Sequence, residues 1–279
     1  MQAHYDAVLL SYGSSHSRRL SIRGETLPCV LPARDFVGWY NAHPSLPSPS
    51  LDLSRTQQVT LIGVGNVSLD IARLLLSPPS SLSSTDLPAH VLDSLASSSV
   101  RSVRLFARRG PLQLAATTKE VRELMALPGV HFRADGPALD RAADVYERNK
   151  GMRGARGTKR ALDVMRKGSV AKAGAAREWS FEWLRSPLEF LPGKGGTVGS
   201  VRWAFNELDE EGDPADASVR ATGREEVTTT ELVLSSVGYT SAQVDGVPFD
   251  PTRGVVRNRD GRVTDDHGAH VRRSPCPVW

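Results

Sequence analysis

"VTLIGVGNVSLDIARLLL", residues 59–76, sets two glycines one residue apart between an apolar run and a helix-like stretch. Val59, Leu61 and Ile62 read as a buried strand, while Val67, Ile71, Leu74, Leu75 and Leu76 recur at helical spacing on one face. The stretch is therefore a strand, a tight turn and a helix start. Gly63 permits the turn. Gly65 lets an anionic group approach the backbone, whose free N–H groups at a helix N-terminus attract negative charge. Asn66 stands where it suits helix capping or donation to a phosphate. Ser68 takes the place of the third glycine in the G-x-G-x-x-G fingerprint and is small enough for close helix packing. Such turns also occur without a ligand, so the motif needs support from elsewhere in the chain.

The next strand supplies that support. In an NAD site an acidic residue closes it, about 20 residues after the glycines. Here residues 77–100, "SPPSSLSSTDLPAHVLDSLASSSV", form a Ser/Pro-rich loop with a short amphipathic helix, and the strand "VRSVRLFARR" follows later, ending in Arg108-Arg109-Gly110-Pro111. Two guanidiniums at a strand's carboxyl end suit a ribose 2′-phosphate, which arginine grips in a forked geometry. The pattern points to NADPH rather than NADH.

The 279 residues, 39% of them hydrophobic, allow one large domain or two smaller ones. No apolar run approaches bilayer length, nothing indicates membrane association, and the start "MQAHYDAVLLSYG" has neither a signal-peptide nor a transit-peptide layout. The two cysteines, Cys29 and Cys276, lie far apart, which argues against a disulfide framework, a zinc site and a redox Cys pair, and points to a reducing compartment. No triad, paired carboxylates or metal cluster is evident. The net charge of +4 is unevenly spread: "RNKGMRGARGTKRALDVMRKGSVAKAGAAR", residues 148–177, holds one acid, Asp163. The block reads as a solvated basic loop or as a face that steers an acidic partner. It has no interleaved aromatics, so nucleic acid is not expected.

Two similar apolar runs, "YDAVLLSYG" (5–13) and "ELVLSSVGY" (231–239), read as strands by which the chain leaves one domain and returns to it. Between them, residues 18–54 read as Pro-rich loop with one helix, "ARDFVGWYNAHP", ended by Pro44. "TTKEVRELMAL" (117–127) predicts a helix capped by Thr117 or Thr118 with Glu120 in its first turn. "FEWLRSPLEFLP" (181–192) and "VGSVRWAFNEL" (198–208) alternate as sheet does, the second running into an acidic turn.

Taken in order, "YDAVLLSYG", "ARDFVGWYN", "GVGNVSLDIARLLL", "ARRGPLQLAATTKEVRELMALPGV", "WLRSPLEFLP", "LVLSSVGY" and "GRVTD" resemble the mitochondrial adrenodoxin reductase (NADPH:ferredoxin oxidoreductase) family from residue 5 to about residue 265. The resemblance is specific, because "RRGPLQ" followed by "KE" and the "GWYN" segment are not general features of nucleotide-binding folds. It implies an α/β, glutathione-reductase-like architecture. A Rossmann-like NADP-binding domain at 18–231 would be nested in an incomplete FAD-binding domain, with a remnant at 1–17 and a partial return at 232–279.

The resemblance further implies a mitochondrial flavoenzyme that takes hydride from NADPH through FAD. It would pass single electrons to a small acidic ferredoxin or adrenodoxin of the 2Fe–2S type. Carried onto this sequence, Val64, Gly65, Asn66 and Val67, with Gly63, would line the pyrophosphate. Arg108 and Arg109 would hold the 2′-phosphate and Glu120 would contact the nucleotide. Arg153, Arg156, Lys159 and Arg160 would receive the acidic partner, and Asp70 would lie near the nicotinamide approach. The family opens with a flavin-binding G-x-G-x-x-G unit and closes with a glycine–tryptophan segment, and neither has a counterpart here. The expectation is a chain that binds NADPH but not FAD.

Three alternatives stand beside it: a catalytically incomplete NADP(H)-binding fragment or isoform, a short-chain dehydrogenase on the spacing Tyr146-x-x-x-Lys150, and an anion-binding module without preference between NADPH and NADH.

Overall fold

In the computed structural model, residues 4–46, 49, 51–209 and 211–271 are described. The elements in chain order are β1 (His16–Ser17), β2 (Val30–Pro32), α1 (Ala33–Tyr40), β3 (Gln58–Ile62), α2 (Asn66–Leu76), α3 (Pro79–Leu82), α4 (Ala89–Ala96), β4 (Ser102–Phe106), α5 (Thr118–Met125), β5 (Val130–Arg133), α6 (Gly136–Arg148) and α7 (Ala155–Lys167). Strands β6 (Arg177–Glu182), β7 (Arg185–Pro192), β8 (Val198–Leu208), β9 (Val219–Thr229), β10 (Leu232–Ser235), β11 (Tyr239–Thr240), β12 (Phe249–Asp250), β13 (Val255–Val256), β14 (Asn258–Arg259) and β15 (Arg262–Val263) complete them.

Residues 20–236 form one unit. Its centre is a six-stranded sheet in the order β2-β10-β3-β4-β6-β5, with every neighbouring pair parallel. A parallel sheet is covered on both faces, so its strands are short apolar runs. Val59, Leu61, Val103, Leu105, Trp179, Val233 and Leu234 are fully buried. From β3 the chain moves outward to β4 on one side, while β10 returns on the other. The strand order therefore reverses at β3, the place where open α/β sheets take their ligands. Gly63 sits at this point with φ +111°, and a Cβ there would collide with the carbonyl oxygen of Ser236, just beyond β10. Only glycine meets both demands.

A three-stranded antiparallel sheet, β7-β8-β9, packs beside the end of β4. Phe106 of β4 stacks on Trp203 of β8 with ring centroids 3.9 Å apart and planes within 4°. The indole N–H of Trp203 donates to Thr228 Oγ1 at 2.8 Å, so the buried ring carries no orphaned donor.

The second unit comprises residues 1–19 with 237–279. Its described part holds the β1–β11 antiparallel pair and the two-stranded pairs β12–β13 and β14–β15. Tyr12 donates its hydroxyl to the Ala242 carbonyl at 2.9 Å.

Several expectations need correction. The run 5–13 is not a strand: no residue in it pairs in a sheet among the described residues, and Leu9 is 89% exposed. An apolar alternation makes a strand only where a neighbour satisfies its backbone groups. The segment 231–239 does contain the return to the smaller unit, at 236/237, but not through its apolar run. Its apolar half is β10, buried between β2 and β3, and the units divide at 19/20 and 236/237 rather than at 17/18 and 231/232. Residues 18–54 are not loop around a single helix, since β2 pairs with β10 as an outer strand. Helix α1 ends at Tyr40, four residues before Pro44, with Asn41 closing it by bonds to Val37. The basic stretch 148–177 is not simply loop, since α7 occupies 155–167 at its centre. Ala161, Leu162 and Met165 of α7 are buried, an apolar face that a reading weighted by charge and glycine passes over. Cys276 lies outside the described residues.

Candidate nucleotide-binding site

The turn from β3 into α2 presents backbone rather than side chains. Gly65 is the N-cap of α2 with φ −92° and makes no side-chain cap, so Asn66 does not cap the helix as its position suggests. Helix bonding begins with Ser68 and Leu69, both donating to the Gly65 carbonyl. The N–H groups of Val64, Gly65, Asn66 and Val67 have no hydrogen-bond partner among the described residues. These are the orphaned donors of a helix start, with the positive end of the helix dipole behind them. A Cβ on Gly65 would meet nothing within 4 Å. No neighbour within the protein therefore requires glycine at this point, and the open volume is where a ligand would lie.

Within α2 the buried face is Ser68, Leu69, Ile71, Ala72, Leu75 and Leu76, while Val67 and Leu74 are only half-buried. The expected face is thus rotated toward Ser68, which packs where the fingerprint has its third glycine.

Asn66 instead reaches across to another helix. Its Oδ1 accepts from the Thr117 N–H at 2.8 Å, and Thr117 caps α5 by accepting from the Glu120 N–H. Two helix N-termini are thereby held side by side. Asp70 and Glu120 sit between these helices with Arg73 and Glu123. Arg73 bonds Asp70 at 2.9 Å and also pairs with Glu123. Burial, together with the charges of Asp70 and Glu123, pushes the Glu120 carboxyl above the usual glutamate range, against the pull of Arg73. A hydrogen bond to Asp70 contributes in the same direction.

Arg108 and Arg109 follow β4 directly, Arg108 exposed and Arg109 half-buried. Neither guanidinium has an ion-pair or hydrogen-bond partner among the described residues. Their backbone, in contrast, is pinned: the Arg108 carbonyl accepts from Asn206 Nδ2 at 2.9 Å and the Arg109 carbonyl from the Leu184 N–H at 3.2 Å. Gln113 bonds the Gly110 N–H at 2.9 Å and donates to the Pro214 carbonyl at 2.6 Å. Sequence reasoning missed Asn206, Leu184 and Gln113, because their partners are set by the tertiary fold and no local motif announces them.

The residues present fit a phosphorylated dinucleotide. They offer free N–H groups, open space over Gly65 and two unpaired guanidiniums at the ends of adjacent parallel strands. Among the described residues no group of three or more His, Cys, Asp or Glu could hold a metal ion. No described helix is long and apolar enough to cross a membrane.

The basic residues divide. Arg156 and Arg160 are exposed on α7 without a charged partner among the described residues, while Lys159 pairs with Asp163 at 3.2 Å. Arg153 is engaged: its side chain pairs with Asp216 and its N–H donates to Asp213 at 3.0 Å. That N–H, followed by the Ala215 N–H, holds the Asp213 carboxyl below its usual range. Tyr146 is buried in the core of α6 and Lys150 pairs with Glu147 at 2.8 Å, so these two do not form a proton-relay pair.

No family model matches the chain. It is 40% identical over 293 aligned positions to the NADPH:adrenodoxin oxidoreductase of Bos taurus, covering 100% of this chain and 58% of that protein. The Homo sapiens protein of the same name is 41% identical over 291 positions, covering 98% and 57%. The NADPH-ferredoxin reductase FprA of Mycobacterium tuberculosis is 38% identical over 283 positions, covering 100% and 60%. The solved structure of M. tuberculosis FprA in complex with NADPH superposes with a TM-score of 0.82 at 38% identity, over 95% of this chain and 57% of that one. The chain thus spans somewhat more than half the length of the relatives it matches.

Proposed function

We propose that this chain, similar to the NADPH:adrenodoxin oxidoreductases and the NADPH-ferredoxin reductase FprA, provides the NADPH-binding part of a flavoprotein that passes electrons to a ferredoxin-type iron–sulfur protein. One observation carries the reading: the free backbone donors of residues 64–67 and the unpaired Arg108 and Arg109 stand at the ends of neighbouring strands β3 and β4. The first set suits a pyrophosphate and the second a 2′-phosphate.

NADPH supplies a hydride when bound, and the hard chemistry belongs to the cofactors. The chain's own residues bind and orient. Val64, Gly65, Asn66 and Val67 hold the pyrophosphate, while Arg108 and Arg109 hold the 2′-phosphate and reject its absence. Glu120, at the start of α5, contacts the nucleotide, and Asp70, paired with Arg73 at 2.9 Å, lies near the approach of the nicotinamide. The exposed face of α7, with Arg156, Lys159 and Arg160, receives an acidic 2Fe–2S protein. Arg153 steadies that region through Asp213 and Asp216. Mitochondrial placement follows the names of the eukaryotic relatives, and import of a tagged chain into isolated mitochondria tests it.

Visible absorption of the purified chain, before and after adding FAD and then NADPH, tests the electron-transfer reading. A flavin band that NADPH bleaches and NADH does not supports it. A colourless protein that binds NADPH favours the second reading, an NADP(H)-binding unit without flavin. A chain that binds neither nucleotide removes both.

A further inference from the structure

Three successive carbonyls tie the arginine turn to the antiparallel sheet. Ala107 accepts from the Arg185 N–H at 2.8 Å, Arg108 from Asn206 Nδ2 at 2.9 Å, and Arg109 from the Leu184 N–H at 3.2 Å. Two of the donors are backbone and survive any substitution except proline. The third is a side chain. Asn206 is 7% exposed and lies on β8 at a break in register with β9. Its N–H donates to the Leu184 carbonyl at 2.9 Å, and Nδ2 also donates to Ser186 Oγ at 2.8 Å. Leu184 holds a left-handed conformation with φ +58°, so the bend that offers its N–H to Arg109 is itself secured through Asn206. The stack of Phe106 on Trp203 fixes β8 against the strand that leads into the turn.

We infer that Asn206 is a positioning residue for nucleotide selectivity. Its amide holds the Arg108 carbonyl so that the two guanidiniums are presented together to the 2′-phosphate. The inference rests on the proposed NADPH site. The residue type follows from the geometry: an Asn amide nitrogen carries two hydrogens, and both are used here. An Asp has the same shape but no donor. Its carboxylate would face the Arg108 carbonyl and leave that carbonyl unpaired in a buried setting. None of the hydrogen bonds of Asn206 reaches residues 63–67, so the pyrophosphate cradle is built independently of it.

The test compares dissociation constants for NADPH and NADH by fluorescence titration, in the wild type and in Asn206→Asp. NADPH binding is expected to weaken about 10-fold in the variant, with NADH binding unchanged. In an Arg108→Ala, Arg109→Ala background the same substitution is expected to cost no further selectivity, because Asn206 acts through the turn. Equal weakening for both nucleotides, or no change for either, overturns the inference. A wild type that binds the two nucleotides equally overturns the NADPH reading itself, a distinguishable outcome. Should Asn206→Asp fail to fold, Asn206→Ser carries the same comparison. Its shorter donor cannot span to Arg108, and the same selective loss is expected.

Discussion

The Oδ1 of Asn66 accepts the Thr117 N–H at 2.8 Å and so locks the N-terminus of α2 to that of α5. One side chain thereby sets the spacing of the two helix starts that flank the proposed nucleotide site. Asn66→Leu removes the acceptor and leaves an N–H unpaired, at a cost of about 1 kcal/mol. Asn66→Asp keeps the acceptor but adds a negative charge beside the pyrophosphate. Thermal unfolding and NADPH titration together separate the effects: the leucine variant melts lower, while the aspartate variant melts near the wild type and binds NADPH more weakly.

The two glycines of the turn serve different purposes. Gly63→Ala meets both a left-handed φ and the Ser236 carbonyl, and a destabilisation of about 2–4 kcal/mol is expected. Gly65→Ala meets open space at an ordinary φ, so its stability cost, that of a poorer N-cap, stays near ~1 kcal/mol. Its effect is expected on binding, because the methyl group would occupy the space proposed for the pyrophosphate. Urea unfolding and NADPH affinity measured on both variants check the contrast.

Much of this was legible in the residues themselves. The strand, turn and helix at 59–76, the Arg pair after the second long strand and the Thr117 cap all depend on local chemistry, and local chemistry is what a sequence displays. The misses share one cause. Residues 5–13 have the apolar content of a strand, but none of them pairs in a sheet among the described residues. Residues 232–235 have a partner on each side, which no periodicity reveals. Helix α7 was hidden because its apolar face is narrow and its charges are many. Asn206 and Gln113 matter through backbone groups roughly 100 residues away, so nothing near them in the sequence signals their use.

Glu120 gives the chain a pH-dependent stability. Its pKa is raised in the folded chain, by burial first and then by Asp70 and Glu123. The folded state therefore holds this proton more tightly than the unfolded state. The stability it contributes is fully present below the ordinary glutamate pKa and is lost as pH rises through the raised value. Glu120→Gln keeps the shape and removes the titration. Thermal midpoints across mildly acidic to neutral pH should show the variant gaining on the wild type as pH rises. A gap that stays constant with pH contradicts the assignment.

The guanidiniums of Arg108 and Arg109 have no partner among the described residues and their backbone contacts survive truncation, so removing either side chain should leave stability within about 0.5 kcal/mol. Each contact to a 2′-phosphate is of the charge-assisted kind, worth about 1.5–3 kcal/mol, and Arg108→Ala or Arg109→Ala should weaken NADPH binding by ~10- to 100-fold. NADH binding should not change.

The most direct test is the affinity of the unmodified 279-residue chain for NADPH and for NADH, titrated side by side at low and at raised salt. NADPH binding at least ~10-fold tighter than NADH, with the advantage shrinking as salt screens the guanidiniums, is the predicted result. Equal affinity for the two nucleotides, or a preference for NADH, would contradict the assignment of Arg108 and Arg109 to a 2′-phosphate and with it the NADPH-dependent function.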